Sequence, residues 1–121
     1  MISSGESVQE VARELKRRGA GKVFICATFG IFTNGLARFD RYYEDGIIDR
    51  ILTTNLVYQS PELLSRPYYV NVEMRKYIAL IIDNLNHDTS ISEFLNPAGR
   101  IRKVLEKHRA AQEEREAAGN Q

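Results

Sequence analysis

Three rhythms of apolar and polar residues run along this chain. Val8, Val11, Ala12 and Leu15 recur at i, i+3, i+4 and i+7, the spacing of one apolar helix face. Ser7-Val8-Gln9-Glu10 reads as a capping box at its start, where serine and glutamate satisfy opposing backbone N–H groups. Lys16, Arg17 and Arg18 suit the negative end of that helix, and Gly19 suits its stop. Residues 22–28 form a short apolar run bounded by glycines, the signature of a buried parallel strand. After a Gly-, Thr- and Asn-containing turn, residues 36–43 read as a helix capped by Thr33 or Asn34, with Leu36, Phe39 and Tyr43 on one face. Residues 49–54 and 68–72 read as further strands, separated by a connection over 56–67 with two prolines. Residues 73–87 predict a strong helix whose stripe of Met74, Tyr77, Ile78, Ile81, Ile82 and Leu85 suits a core or a subunit interface. Residues 87–95 read as a turn and a short helix. From Pro97 onward the chain becomes a polar, basic-then-acidic helical tail.

Alternation of helix and strand predicts an α/β domain with a parallel sheet. A buried parallel strand needs neighbours on both sides. The sheet is therefore expected to be incomplete at its N-terminal side, leaving an edge and an apolar helix face open beside residues 22–28. The predicted division is a domain over 1–96 and a tail over 97–121.

Composition narrows the function. The chain has 121 residues and a net charge of +1, which gives no reason to expect nucleic acid or an anionic membrane as a partner. No apolar run reaches the roughly 18 residues of a membrane span, and the polar start lacks the pattern of a secretory leader. Cys26 stands alone in an apolar run. It is expected to be a buried small hydrophobe, and a chain without a disulfide framework suits the cytoplasm. His87 has no neighbouring metal set in sequence.

The loop before the first helix is the main candidate for chemistry. Gly5 and the serines Ser3, Ser4 and Ser7 allow a tight backbone curl with hydroxyl donors. The unpaired N–H groups and partial positive charge of a helix start favour a phosphate. Glu6 opposes this by adding negative charge, and a helix start that binds nothing explains the same residues. Thr28, Thr53, Thr54 and Asn55 fall at strand C-termini, where open α/β sheets hold ligands; threonine is also an ordinary strand residue.

Three stretches in order resemble the C-terminal part of ribose-phosphate pyrophosphokinases, a family with a type I phosphoribosyltransferase-like fold. They are residues 1–7, residues 23–35 (Val23 through Ala27-Thr28-Phe29-Gly30 to Phe32-Thr33-Asn34-Gly35), and the strand ending Thr53-Thr54-Asn55. The late strand, the long helix and the turn at 87–95 follow in the same order. The resemblance implies that Ser3, Ser4, Gly5, Glu6 and Ser7 hold the 5-phosphate of ribose 5-phosphate, and that Ser90 and Ser92 stand near a regulatory phosphate site. It implies ATP, Mg2+ and a homo-oligomer for the parent enzyme. The acidic pair, the ATP-binding residues and the metal ligands would precede Met1. Phe29 departs from the usual histidine, and Ser3 and Ser4 from the commoner Asp and Thr. A regulatory relative without activity, another type I phosphoribosyltransferase, and a plain interaction module remain open alternatives.

Overall fold

The computed structural model describes residues 1–88, 90 and 96–119, with the backbone alone for 100 and 113–119. Its contacts divide the chain into two units, Met1–Ile78 and Ala79–Gln121.

The first unit alternates helix and strand: α1 (Glu6–Arg17), β1 (Phe24–Ala27), α2 (Ala37–Glu44), β2 (Arg50–Thr54), α3 (Pro61–Leu64) and β3 (Tyr69–Val72). The strands pair in parallel in the order β1-β2-β3. The α/β class and the helix-flanked parallel sheet are as the sequence predicts. Helix α4 (Arg75–Asn86) begins in this unit and continues into the second. The second unit also contains α5 (Ala98–Gly119).

Several local expectations are corrected. Helix α1 begins at Glu6, not after a Ser7 cap; Gly5 is its N-cap residue, in the left-handed region with φ 82° and no capping side chain. Helix α2 begins at Ala37 without a cap from Thr33 or Asn34, and it buries Tyr42 beside Phe39 rather than Tyr43. The connection over 56–67 contains the short helix α3. Ser60 caps it by accepting from the Leu63 N–H at 3.1 Å, and Pro61 sits at its first position. Proline is at home there because that N–H has no helical partner. Of the turn and short helix expected over 87–95, Thr89 and residues 91–95 lie outside the described residues.

One face of the sheet is covered. Ile51, Thr53 and Tyr69 are buried there with Phe39 and Tyr42 of α2, Ala12 of α1, Leu63 of α3 and Tyr68. The register places Cys26 beside Leu52, and Leu52 beside Val70. Phe24, Cys26, Val70 and Val72 are exposed on that opposite face. Cys26 is therefore not the buried hydrophobe the apolar run suggested. The run reads as buried on both sides, but within the first unit the described residues pack on one side of β1. Within the first unit, β2 is the strand that pairs with β1, and a single-residue parallel bridge, Ile2 with Gly30, forms beyond the C-terminal end of β1. A groove of about 310 Å³ runs between α1 and β1, lined by Val8, Val11, Ala12, Leu15, Phe24 and Ile25 among others.

Arg66 makes a two-pronged ion pair to Asp40 at 2.9 and 3.0 Å, and the Tyr68 hydroxyl donates to the same carboxylate at 2.7 Å. Burial, then Asp40, pushes the Tyr68 phenol well above its ordinary range. This latch ties α2 to the start of β3.

Candidate functional site

Tertiary structure joins the two stretches that carry the sequence signal. The Ile2 N–H donates to the Phe29 carbonyl, and the Ile31 N–H to the Ile2 carbonyl, each at 2.8 Å. The Thr33 N–H donates to the Ser3 carbonyl at 3.0 Å. Residues 2–3 are thereby clamped against 29–33, and the chain then turns at Gly5 into α1. Gly30 permits the clamp, because a Cβ there would stand 2.6 Å from the Phe32 ring and 2.8 Å from the Thr53 methyl.

Gly5 sets the loop's shape. Its φ of 82° favours glycine, and a Cβ would lie 2.1 Å from the tip of the buried Phe39 ring. With Gly5 pressed onto Phe39, Ser3 and Ser7 remain exposed and Ser4 half-buried. The first intrahelical bond runs from Gln9 N–H to the Gly5 carbonyl at 3.0 Å. The N–H groups of Glu6, Ser7 and Val8 precede it and have no carbonyl of the helix to meet. Such a helix start carries a partial positive charge, the physical basis of anion binding at helix N-termini.

Two neighbours of the loop were invisible in the sequence. Arg38, in the first turn of α2, makes an exposed ion pair with Glu6 at 3.4 Å. It offsets the negative charge that Glu6 brings to the loop. Gln9 lies beneath, 1% exposed, with both side-chain amide atoms buried and without a hydrogen-bond partner. Phe32 adopts φ 52° and packs edge-on against Phe39 at 5.2 Å and Tyr69 at 6.3 Å. An aromatic residue seldom adopts this backbone, and such outliers persist only where the surroundings over-determine them.

The C-terminal ends of the strands carry a polar network. Thr53 is buried, and its hydroxyl bonds Tyr69 at 2.6 Å; Gln59 donates to Tyr69 at 2.5 Å and to the Thr54 carbonyl at 3.2 Å. The Thr54 hydroxyl donates to the Thr28 carbonyl at 2.5 Å. Asn55 accepts from the Met74 N–H and donates to Glu73, at 2.9 and 2.8 Å. Arg75, through its side chain and then its backbone, together with Asn55, holds the Glu73 carboxyl down to about 2. Each of Thr53, Thr54 and Asn55 thus has a structural partner.

Ser90 is exposed and partnered within the protein, whereas Ser92 lies outside the described residues. The His87 ring sits at 2.8 Å from the carbonyl of Asp83 in the preceding helix α4. Among the described residues, no three His, Cys, Asp or Glu side chains are grouped to fit a metal ion.

No family model matches the chain. It is 26% identical over 96 residues to the ribose-phosphate pyrophosphokinase of Vibrio cholerae serotype O1, covering 79% of this chain and 30% of that enzyme. It is 30% identical over 92 residues to the ribose-phosphate pyrophosphokinase of Shewanella oneidensis, covering 76% and 28%. It is 26% identical over 99 residues to the human phosphoribosyl pyrophosphate synthase-associated protein 2, covering 82% and 26%. The resemblance read from the three stretches is thus shown, and the chain spans less than a third of the length of the curated relatives it matches.

Proposed function

We propose that this chain is the C-terminal part of a ribose-phosphate pyrophosphokinase, with the loop over residues 3–7 serving as its binding site for the 5-phosphate of ribose 5-phosphate. The parent enzyme would transfer diphosphate from Mg-ATP to the sugar's 1-hydroxyl, releasing AMP, in the cytoplasm and as a homo-oligomer, to supply nucleotide synthesis. Clamping of residues 2–3 onto 29–33, with Gly5 packed on Phe39 where the unpaired N–H groups of α1 begin, supports this reading most directly. In it, backbone N–H groups of Glu6 and Ser7 bind the phosphate, and the hydroxyls of Ser3, Ser4 and Ser7 close around it. Arg38 holds Glu6 aside and adds positive charge.

The ATP contacts and the Mg2+ ligands fall outside this chain in that reading. The chain by itself is then inactive. The open edge of β1 and the apolar groove beside it mark where further polypeptide would complete the sheet. Ser90 and Ser92 belong to the same proposal as a regulatory phosphate site, as do a phosphoribosyltransferase-like domain over 1–96 and a tail over 97–121.

A second reading, a regulatory relative without catalytic activity, is favoured by the match to the human synthase-associated protein. Another type I phosphoribosyltransferase is a third. An amide-resolved NMR titration with ribose 5-phosphate tests the site. Shifts focused on residues 3–8 are expected, and dispersed spectra without them would overturn the loop's assignment. Formation of AMP from ATP and ribose 5-phosphate by this chain alone would refute the division of labour.

A further inference from the structure

Helix α5 carries its charge the wrong way round for a helix standing alone. Residues 98–109 contain five basic residues (Arg100, Arg102, Lys103, Lys107 and Arg109) against Glu106. Residues 113–116 contain Glu113, Glu114 and Glu116 against Arg115. A helix macrodipole favours acids near the N-terminus and bases near the C-terminus. Helix α1 obeys that rule, with Glu6 in its first turn and Lys16 and Arg17 in its last. Helix α5 has no acid in its first turn and no base in its last.

Its apolar residues are equally unserved. Every residue from 101 to 112 is exposed, including Ile101, Val104 and Leu105 at 54%, 68% and 52%. These three share one side by their i, i+3, i+4 spacing. Ala98, Ile101, Leu105 and Arg109 line a shallow groove there. Most helical stability in proteins comes from packing an apolar face, not from propensity.

We propose that α5 pairs antiparallel with α5 of a second copy of this chain. Antiparallel pairing lays the basic half of each helix beside the acidic half of the other. Parallel pairing would put like charges side by side, so charge fixes the orientation as well as the partner. The arrangement is two-fold, with each copy giving and receiving the same contacts. A 22-residue helix is about 33 Å long, enough for both halves to engage. This pairing is independent of the sugar-phosphate loop.

The test is sedimentation velocity of the full chain across a concentration series, with two charge-reversed variants. One is Lys103→Glu with Lys107→Glu; the other is Glu113→Lys with Glu114→Lys. Each reversal brings α5 closer to the charge order an isolated helix prefers, so unfolding of the helix would not explain lost association. The expected result is a dimer that each variant alone weakens by ~10-fold or more, that an equimolar mixture of the two restores, and that added salt weakens. A chain that stays monomeric overturns the proposal. So does a dimer that neither variant weakens, which would place association on another face such as the β1 edge. A mixture that fails to recover, or binding of the basic half to anionic vesicles or nucleic acid without self-association, overturns it too.

Discussion

Replacing Gly5 by alanine perturbs the one residue on which the loop's shape depends. Two costs add. An L-residue at φ 82° loses roughly 1–2 kcal/mol in the left-handed region. The new methyl would sit 2.1 Å from the Phe39 Cζ atom, and Phe39 is fully buried against Phe32. Overpacking of this kind costs about 1–3 kcal/mol. Alanine stiffens the unfolded chain and returns roughly 0.4–1 kcal/mol. The net loss is about 1–4.5 kcal/mol, a sizeable share of the roughly 5–15 kcal/mol of a small domain. The chain has no tryptophan and six tyrosines, so denaturant unfolding is followed by tyrosine fluorescence and circular dichroism. Gly35→Ala separates the two costs, because Gly35 has φ 73° with open space where the methyl would go. It should lose only about 1 kcal/mol. Phe39→Leu made together with Gly5→Ala should be less harmful than the two changes summed, since the smaller side chain makes room for the methyl. A loss under about 0.5 kcal/mol for Gly5→Ala, within the range of ordinary surface changes, would refute the reasoning; so would strict additivity with Phe39→Leu.

Three further outcomes follow from the same geometry. Gln9→Met removes two buried amide atoms that lack partners while nearly keeping volume, and should stabilise by about 1 kcal/mol; clear destabilisation in the same unfolding assay would show that the amide has a partner. Glu73 has its carboxyl held to about 2, below the ordinary 4.5; its folded-state interactions with Arg75 and Asn55 are thus fully present above the ordinary value and lost as pH falls from there through about 2, and a carboxyl-carbon NMR titration with a midpoint near 4.5 would contradict this. Cys26, exposed on the open face of the sheet, should react with a thiol reagent such as Ellman's without denaturant; protection until unfolding would mean that this face is covered in solution.

Much of the local architecture was written into the sequence. Short apolar runs became β1 to β3 because strands buried on a face select continuous or alternating apolar residues. The 3.6-residue rhythm located α1 and α4, and the polar tail after Pro97 became α5. Gly5 was legible as a turn, since only glycine takes that backbone freely. Tertiary structure decided what no local pattern encodes. Arg38 meets Glu6 across 32 residues of chain, and Asp40 meets Arg66 across 26. Gln9, polar and flanked by an apolar periodicity, became buried in α1 alongside Ala12, while Val11 and Leu15 were left facing the groove. Cys26 illustrates the same limit. An apolar run states that a strand can be buried, but which side is covered depends on the layers that pack there, and within the first unit the described residues cover β1 on one side only. Periodicity fixes the element and its faces; the partner of each face is a property of the assembled chain.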